Sequence, residues 1–551
     1  MKLKLTWLLT LFMAFVMQFS FAQEKTVTGT VTTLSDGLPL PGASVIVKGT
    51  SRGQQTDFDG KFTIKVNNGD VLVISYVGME PGEVTIGAGS TYDVALKDAS
   101  SLDEVVVVGY GSTTKEAFTG TAAKVDVKDI EAKTFSNVSQ ALKGEASGVN
   151  VIQTTGQPGS SATIRIRGFG SVNGNRNPLY VVDGVPYGGQ INAINQNDIS
   201  NLVILKDAAA TSIYGSRGAN GVILITTNKG SKTKSSISVD LKTSVSSFSI
   251  PGYDVIESPE EYAEISWDAM RNNARLSGNS NPEQYASDNL YSAANGINPY
   301  YNLWNADGDQ LINPSTGEFN SGITRKYTPE DWGEYAFRTG YRQEANISMS
   351  GGNESTTYST SLGFVNDEGV GINSDFRRYT GRVNVDHQVN DWLKVGANAT
   401  YAGSRTTQNG QTTDTGSIFL MANAAPRIYS IFLRDGNGNK IEDPIFGGYQ
   451  FDYGDNQSSN SLGDNSRRFS TATNGIADAT YNLTRSYDNS LFGNVYFNID
   501  LAKGLTLENR YGTQRENFDY SDRDNPYYGA ASVESIYGRL YKQISTRTND
   551  N

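Results

Sequence analysis

The chain has 551 residues, a formal net charge of -12 and no cysteine. Its length exceeds what one hydrophobic core normally serves, so several domains are expected, and the acidic balance gives no electrostatic basis for binding nucleic acid. The lack of cysteine excludes disulfide staples, thiol catalysis and cysteine-ligated zinc.

Abundant Gly, Tyr, Phe, Ser, Thr and Asn favour strands and turns over helices. At the N-terminus Lys2 and Lys4 precede an apolar run that ends in Ser20-Phe21-Ala22. This reads as a signal peptide over residues 1–22, cleaved after Ala22, so the mature chain is exported. The alternative is an uncleaved anchor, but the run is near the lower length limit for spanning. No later window of about 18 apolar residues occurs, so a membrane-embedded mature chain would cross as a β-barrel.

Residues 23–98 contain short alternating runs between turn signals. "SVIVKG" places Val45 and Val47 on one face, and "KFTIKV" points Phe62, Ile64 and Val66 inward with Lys61, Thr63 and Lys65 outward. A small β-sandwich is expected, its turns made by "SDGLPLPG" and "TDFDGKF". From "GTVTTLSDGLPLPGASVIVKG" through "LVISYVGME" the segment resembles a carboxypeptidase-regulatory-like, prealbumin-type domain.

Residues 99–112 hold "SLDEVVVVGYG": Asp103 and Glu104 stand before Val105, Val106, Val107 and Val108, and the run breaks on Gly109-Tyr110-Gly111. An extended run of this kind either completes a neighbouring sheet or offers unpaired N–H and C=O groups to the sheet edge of a partner. In the second case a proline at Val106 would remove one donor.

Residues 113–232 read as mixed α/β. "VSQALKGEASGVNVIQ" predicts a short helix closed by Gly148 and then a strand, and "ATIRIRG" alternates Ile164 and Ile166 with Arg165 and Arg167 before Gly168. "PLYVVDGVPY" is a strand with a turn at Asp183-Gly184. "DISNLVILKDAAATSIYGSRGANGVILITT" predicts strand, helix capped by Asp207, a glycine turn and strand. Arg165 and Arg167 lie on the polar side of their strand, either paired with carboxylates of a surrounding wall or solvated. These glycines spell neither a Walker loop nor a dinucleotide fingerprint.

From 233 to 551 the strands lengthen. "SLFGNVYFNIDL" puts Leu491, Val495, Phe497 and Leu501 on a face suited to lipid, and Phe492, Asn494, Tyr496 and Asp500 on a face suited to water. "EANISMSGG" and "TTYSTSLGF" form a hairpin around "NES", and a second hairpin turns at Asn390-Asp391. Polar excursions near 250–335 and 405–488 would be extracellular loops. The fold class is therefore mainly β: a sandwich, a mixed α/β segment and a large antiparallel transmembrane barrel.

In order and spacing, "LDEVVVVGYG", "QALKGEASGVNV", "IRIRGFGS", "NPLYVVDGVP" and "DISNLVILKDAAATSIYGSRGANGVILITT" resemble a SusC-type TonB-dependent transporter of the Bacteroidota outer membrane. The resemblance implies that the mixed α/β segment is a plug domain, that the barrel is incomplete in this chain, which holds its first part, and that Asp103 to Val108 is the TonB box. It gives structural roles in the plug to Arg165, Arg167, Gly168, Asp183, Gly184, Asp207, Tyr214, Gly215, Gly218 and Gly221. It implies TonB with ExbB and ExbD, a SusD-like lipoprotein and outer-membrane lipid as partners, the sandwich and TonB box in the periplasm, and import of an oligosaccharide, with peptide as the alternative cargo. A surface binding or adhesion protein that uses a barrel only as an anchor would need neither plug nor coupling strand.

No catalytic residue, metal or cofactor is expected. The one histidine, His387 in "VNVDHQVN", cannot build a His-rich zinc site, and no nucleophile elbow accompanies it. "RDGNGNKIEDP" opens with calcium-loop spacing but carries Lys440 where a glycine is needed and Phe446 where a glutamate is needed, so it reads as a hairpin turn. The family's barrels have about 22 strands, whereas about seven to nine are legible after residue 235. The chain is therefore expected to be the N-terminal part of a longer protein. Tyr300, Tyr301 and Trp304 in the first excursion would either stack on sugars or pack.

Overall fold

The computed structural model describes residues 24–34, 36–50, 52–76, 79–97, 105–108, 111–114, 122–168, 170–233, 235–249, 255–409, 417–454, 467, 474–527 and 540–550. The expected signal peptide lies outside the described residues. Two units separate along the chain, residues 1–119 and 120–551.

In the first unit the alternating runs become strands β1 (Lys25–Thr33), β2 (Ser44–Val47), β3 (Gly53–Gln55), β4 (Lys61–Val66), β5 (Val71–Ser75), β6 (Gly82–Thr85) and β7 (Val94–Leu96). They form two sheets, ordered β4-β1-β7 and β3-β2-β5-β6. Burial follows the predicted period of two: Phe62, Ile64 and Val66 are buried while Lys61, Thr63 and Lys65 are exposed, and Val45 and Val47 face the same core as Val27, Leu72 and Ile74. The Asp57 carboxylate accepts the N–H groups of Asp59 (3.0 Å) and Lys61 (2.8 Å), and Gly60 supplies φ 71°, which closes the expected turn. Beyond the sandwich, β8 (Val105–Val108) pairs antiparallel with β9 (Gly111–Thr114).

The second unit begins with the plug. Its strands are β10 (Ala122–Val125), β11 (Val149–Ile152), β12 (Thr163–Ile166), β13 (Leu179–Val182), β14 (Val185–Tyr187), β15 (Ile199–Leu205) and β16 (Val222–Thr227), and its helices are α1 (Val127–Ala132), α2 (Val138–Ala141) and α3 (Ala208–Thr211). Five strands form one sheet, β10-β15-β16-β13-β14, and β11 pairs with β12 apart from it. Helix α2 ends at Ala141, so Gly148, at φ 74°, turns the chain into β11 rather than closing the helix. Val182, Ile204, Ile223 and Ile225 fill the core between them.

Eight long strands follow: β17 (Ser236–Ser246), β18 (Gly340–Gly352), β19 (Thr356–Glu368), β20 (Asp375–Asn390), β21 (Leu393–Gln408), β22 (Leu483–Ala502), β23 (Leu505–Arg523) and β24 (Leu540–Asp550). They pair in chain order as one antiparallel sheet, within the expected number. Residues 353–355, 391–392 and 503–504 make short turns at one end, and segments 247–339, 369–374, 409–482 and 524–539 connect the strands at the other. Leu491, Val495, Phe497 and Leu501 are exposed as predicted. Of their alternates Asp500 is exposed, whereas Phe492, Asn494 and Tyr496 are buried: the Phe492 ring stands edge-on to Tyr187 of the plug at 5.4 Å, Asn494 bonds Asn398 and the Tyr496 hydroxyl bonds Asp386 within the sheet.

The two long excursions are not open loops. They fold into α4 (Pro259–Leu276), α5 (Pro282–Leu290), α6 (Trp332–Ala336), α7 (Ile418–Ala424) and α8 (Gly475–Tyr481). Ser258 caps α4, Pro259 opens it and Glu260 and Glu261 occupy its first turn. Two apolar clusters result, one around Trp267, Trp304 and Tyr429, the other around Trp332, Met421 and Tyr453. Burial of each indole requires a partner for its N–H: Trp267 donates to Ser287 Oγ (2.9 Å), Trp304 to Glu260 Oε1 (3.2 Å) and Trp332 to the Tyr429 carbonyl (3.1 Å).

Phe62→Ala should destabilise the sandwich by about 3–5 kcal/mol, the usual cost of emptying a buried aromatic site, read as a lower urea midpoint. In the second excursion, burial and the neighbouring Asp524 charge push the Asp478 carboxyl from 3.8 up to about 7. The folded state therefore binds a proton that the unfolded chain has released, and stability of this excursion falls as pH rises through that window. Asp478→Asn should flatten that fall, measured as the difference in unfolding midpoint between about pH 5 and about pH 8; an undiminished difference would assign the dependence to another group.

Candidate functional site

Two regions carry the residues singled out above: the segment after the sandwich and the seam between plug and sheet. Asp103 and Glu104 lie outside the described residues. Val105–Val108 form β8, but the run is not a free strand, because Val105 pairs with Thr114, Val106 with Thr113, Val107 with Ser112 and Val108 with Gly111. Nothing in "GSTT" alternates, which is why the partner strand went unread.

Within the plug, Asp183 and Gly184 form the two-residue connection of the β13–β14 hairpin, with φ 48° and 82°. Two consecutive positive φ values are the type I′ geometry that Asp-Gly favours. The turn brings Asp183 to the sheet. Its carboxylate accepts from Thr227 N (2.9 Å) and Thr227 Oγ1 (2.5 Å) in β16 and from Asn398 Nδ2 (3.3 Å) in β21, with the Arg382 guanidinium of β20 at 3.6 Å. Arg510 of β23 donates to the Asp183 carbonyl, and a Cβ at Gly184 would stand 3.3 Å from that guanidinium. Asp183 and Arg382 are almost wholly buried, so each charge depends on the other.

The same pattern extends along the wall. Arg378 donates to the carbonyls of Asn192 (2.6 Å) and Ser136 (3.2 Å). Arg342 donates to the Phe135 carbonyl (3.2 Å) and to the Ser136 hydroxyl while paired with Glu344 and Asp367. Asn195 Nδ2 donates to Asn346 Oδ1 (2.7 Å), and Gln514 and Glu516 accept the N–H groups of Gly188 (3.1 Å) and Gln190 (3.0 Å). Burial pushes the Asp198 carboxyl above the ordinary range, against the Ser361 hydrogen bond and the Arg382 and Arg378 charges. At Gly159, φ 76°, the backbone comes so close that a Cβ would fall 2.1 Å from the Phe376 ring.

The expected partners are thus reversed. Arg165 turns back into the plug, donating to Asn177 Oδ1 (2.9 Å) and the carbonyls of Ile164 (2.9 Å) and Arg176 (3.3 Å). Arg167 is exposed, at φ 55°, with Gly168 at 104° beside it. Neither has a carboxylate partner in the sheet among the described residues; the arginines that join plug to wall come from the wall. Their signal was present in "RRYTGRVNVD", where Arg378, Thr380, Arg382, Asn384 and Asp386 share one face of β20, but such a face reads equally as water-lining.

The remaining plug residues shape the fold. Asp207 caps α3, accepting from Ala210 N at 2.8 Å. Tyr214 is buried and Gly215 takes φ 58°. A Cβ at Gly218 would meet the Thr211 carbonyl at 2.8 Å, and one at Gly221, φ 91°, would meet Ile166 at 2.7 Å.

Between the two excursions lies a cavity of about 270 Å³ lined by Tyr300, Asn302, Lys326, Tyr327, Arg434 and Asp435. The Tyr300 hydroxyl accepts from Arg434 N (2.9 Å) and donates to Arg434 O (3.0 Å), tying the excursions together. Tyr301 and Trp304 are fully buried packing residues. Asp435 accepts from Asn437 N (3.0 Å) and Asn439 N (2.8 Å), as a hairpin turn requires. His387 is exposed, its Nδ1 2.7 Å from Thr356 Oγ1. Among the described residues no group of three or more His, Asp or Glu side chains is placed to hold a metal.

Comparison with known proteins agrees with this architecture. The family model of the TonB-dependent receptor plug domain matches residues 114–222, and that of the CarboxypepD_reg-like domain matches residues 27–107. The chain is 32% identical over 543 residues to TonB-dependent receptor P26 of Formosa agariphila, covering 96% of this chain and 47% of that one. It is 36% identical over 397 residues to TonB-dependent receptor SusC of Bacteroides thetaiotaomicron, covering 70% and 34%. The RagAB peptide importer in its open-open state superposes with a TM-score of 0.57 at 26% identity, over 81% of this chain and 46% of that one. The chain spans less than half the length of the curated relatives it matches, and over that span it belongs to the SusC-type TonB-dependent receptors.

Proposed function

We propose that the protein takes part in TonB-dependent import of a large nutrient across the outer membrane, its sheet forming part of the barrel wall and its plug closing the lumen. The observation that carries this reading is the chemistry of the seam. Apolar surface pulled from its partner into water costs about 25 cal/mol per Å², whereas a hydrogen bond exchanged for water costs about 0.5–1.5 kcal/mol net. A plug held by Asp183, Asn195 and backbone groups against Arg342, Arg378, Arg382 and Arg510 is therefore firm at rest and releasable into an aqueous lumen under load. The load is supplied through Asp103 to Val108 by TonB, energised by ExbB and ExbD, with the sandwich in the periplasm and a SusD-like lipoprotein over the external face.

Oligosaccharide is the proposed cargo, with Tyr300 and Tyr327 in the external cavity as ring surfaces. Peptide is the second reading, favoured by the likeness to the RagAB peptide importer. Cells deleted for the gene should lose uptake of labelled oligosaccharides and keep uptake of labelled oligopeptides; the opposite pattern would replace the first reading by the second.

Arg382→Gln should leave the Asp183 carboxylate buried without its counter-charge and weaken plug seating by about 3–5 kcal/mol. The expected readouts are faster proteolysis at the β13–β14 turn and entry of a large antibiotic in whole cells. Combining it with Asp183→Asn should reverse much of the effect, since neither charge is then left alone. A single variant indistinguishable from wild type in both assays would remove the clamp from the mechanism.

A further inference from the structure

We infer that the coupling element is a preformed two-stranded hairpin, and that the energy-coupling partner adds its strand to the outer edge of β8 while β9 stays paired to the inner edge. This rests on the proposed coupling role of Val105–Val108 and says which backbone groups perform it. Among the described residues β8 has one partner, β9, in a sheet of two strands. Val108 and Gly111 flank a connection of two residues, and in such a hairpin the flanking pair exchanges its hydrogen bonds across the ladder. Every second pair does the same, so Val106 with Thr113 also bonds inward.

The N–H and C=O groups of Val105 and Val107 then point away from β9. They are the groups an incoming strand can pair with, and Val106, singled out from sequence alone, is not among them. Pairing on that edge extends two strands to three, and the partner finds β8 already extended, so less ordering is required on binding than for a disordered segment.

The absence of native cysteine makes the test specific. Val107 and Ser112 form a non-hydrogen-bonded pair, for which Cα atoms stand about 4.5 Å apart, within disulfide reach. A Val107→Cys/Ser112→Cys double variant of the full chain should therefore oxidise to an intramolecular disulfide, seen as alkylation resistance. A second variant, Val107→Pro, removes an outward donor that the hairpin itself does not use. Both are assayed by the Kd for the purified periplasmic C-terminal domain of TonB from the same organism.

The inference expects Val107→Pro to weaken binding at least about ten-fold, some 1.4 kcal/mol, and the oxidised double variant to bind within about two-fold of its reduced form. Loss of binding on oxidation with recovery on reduction would show that β9 must be displaced, overturning the hairpin inference while leaving the coupling assignment in place. Failure of the disulfide to form would likewise overturn the hairpin. Unchanged binding by Val107→Pro would overturn pairing on the outer edge of β8, and unchanged binding by Val106→Pro as well would overturn the coupling assignment with it.

Discussion

The seam between plug and wall depends on one constraint: the face of the sheet that meets the plug is built of polar and charged side chains, and each must be both buried and satisfied there. Arginine meets both demands. Its guanidinium is permanently charged, presents a planar fork of donors and is more weakly hydrated than an ammonium, so it can be buried against carbonyls and a carboxylate at lower cost than lysine. Arg342, Arg378 and Arg382, with Asn346 and Thr380, stand on the face of β18 and β20 that meets the plug. The Asp183-Gly184 turn is the plug's answer to them: a tight I′ hairpin is the shape that carries a carboxylate and its own carbonyl outward together, so that Arg382 takes the first and Arg510 the second.

That arrangement explains why the plug can have a hydrophobic core of its own. Val182, Ile204, Ile223 and Ile225 are satisfied among plug elements, and Phe492 is the wall residue that joins that buried cluster. A wall made of apolar residues would instead have fused plug and sheet into one core, with a separation cost proportional to the area exposed. The polar seam keeps two bodies of structure within one compact unit.

The legible parts of the chain are those where one physical demand acts alone. In β4, one face is buried and the other solvated, and "KFTIKV" alternates accordingly. Asp183-Gly184 reads as a turn because few other dipeptides tolerate two positive φ values. Where two demands yield the same residue types, reading stops. A strand face that lines water and one that binds a polar plug both require Arg, Asn and Thr, so Arg382 carried no mark that distinguished it from a lumen residue. Arg165 showed the converse: on the polar side of its strand, it has its partners in Asn177 and in plug carbonyls.

The excursions between β17 and β18 and between β21 and β22 were illegible for a different reason. The 18-residue α4, which carries Trp267, has a start signal in Ser258-Pro259-Glu260-Glu261, but Trp304, Tyr301 and Tyr429 are brought to it by short turns and isolated bridges that leave no sustained period. Polar side chains do the joining. Asp452 accepts from the Tyr301 hydroxyl at 2.8 Å and pairs with Arg467, both charges fully buried, and Tyr300 bonds the Arg434 backbone across the excursions through both its donor and its acceptor. Charges buried in this way cost more than they return unless every neighbour is in place, so the two excursions hold one relative arrangement, and the cavity between Tyr300, Tyr327 and Asp435 has a fixed shape before any ligand arrives. A cavity held in that way spends little binding energy on ordering itself when a ligand enters.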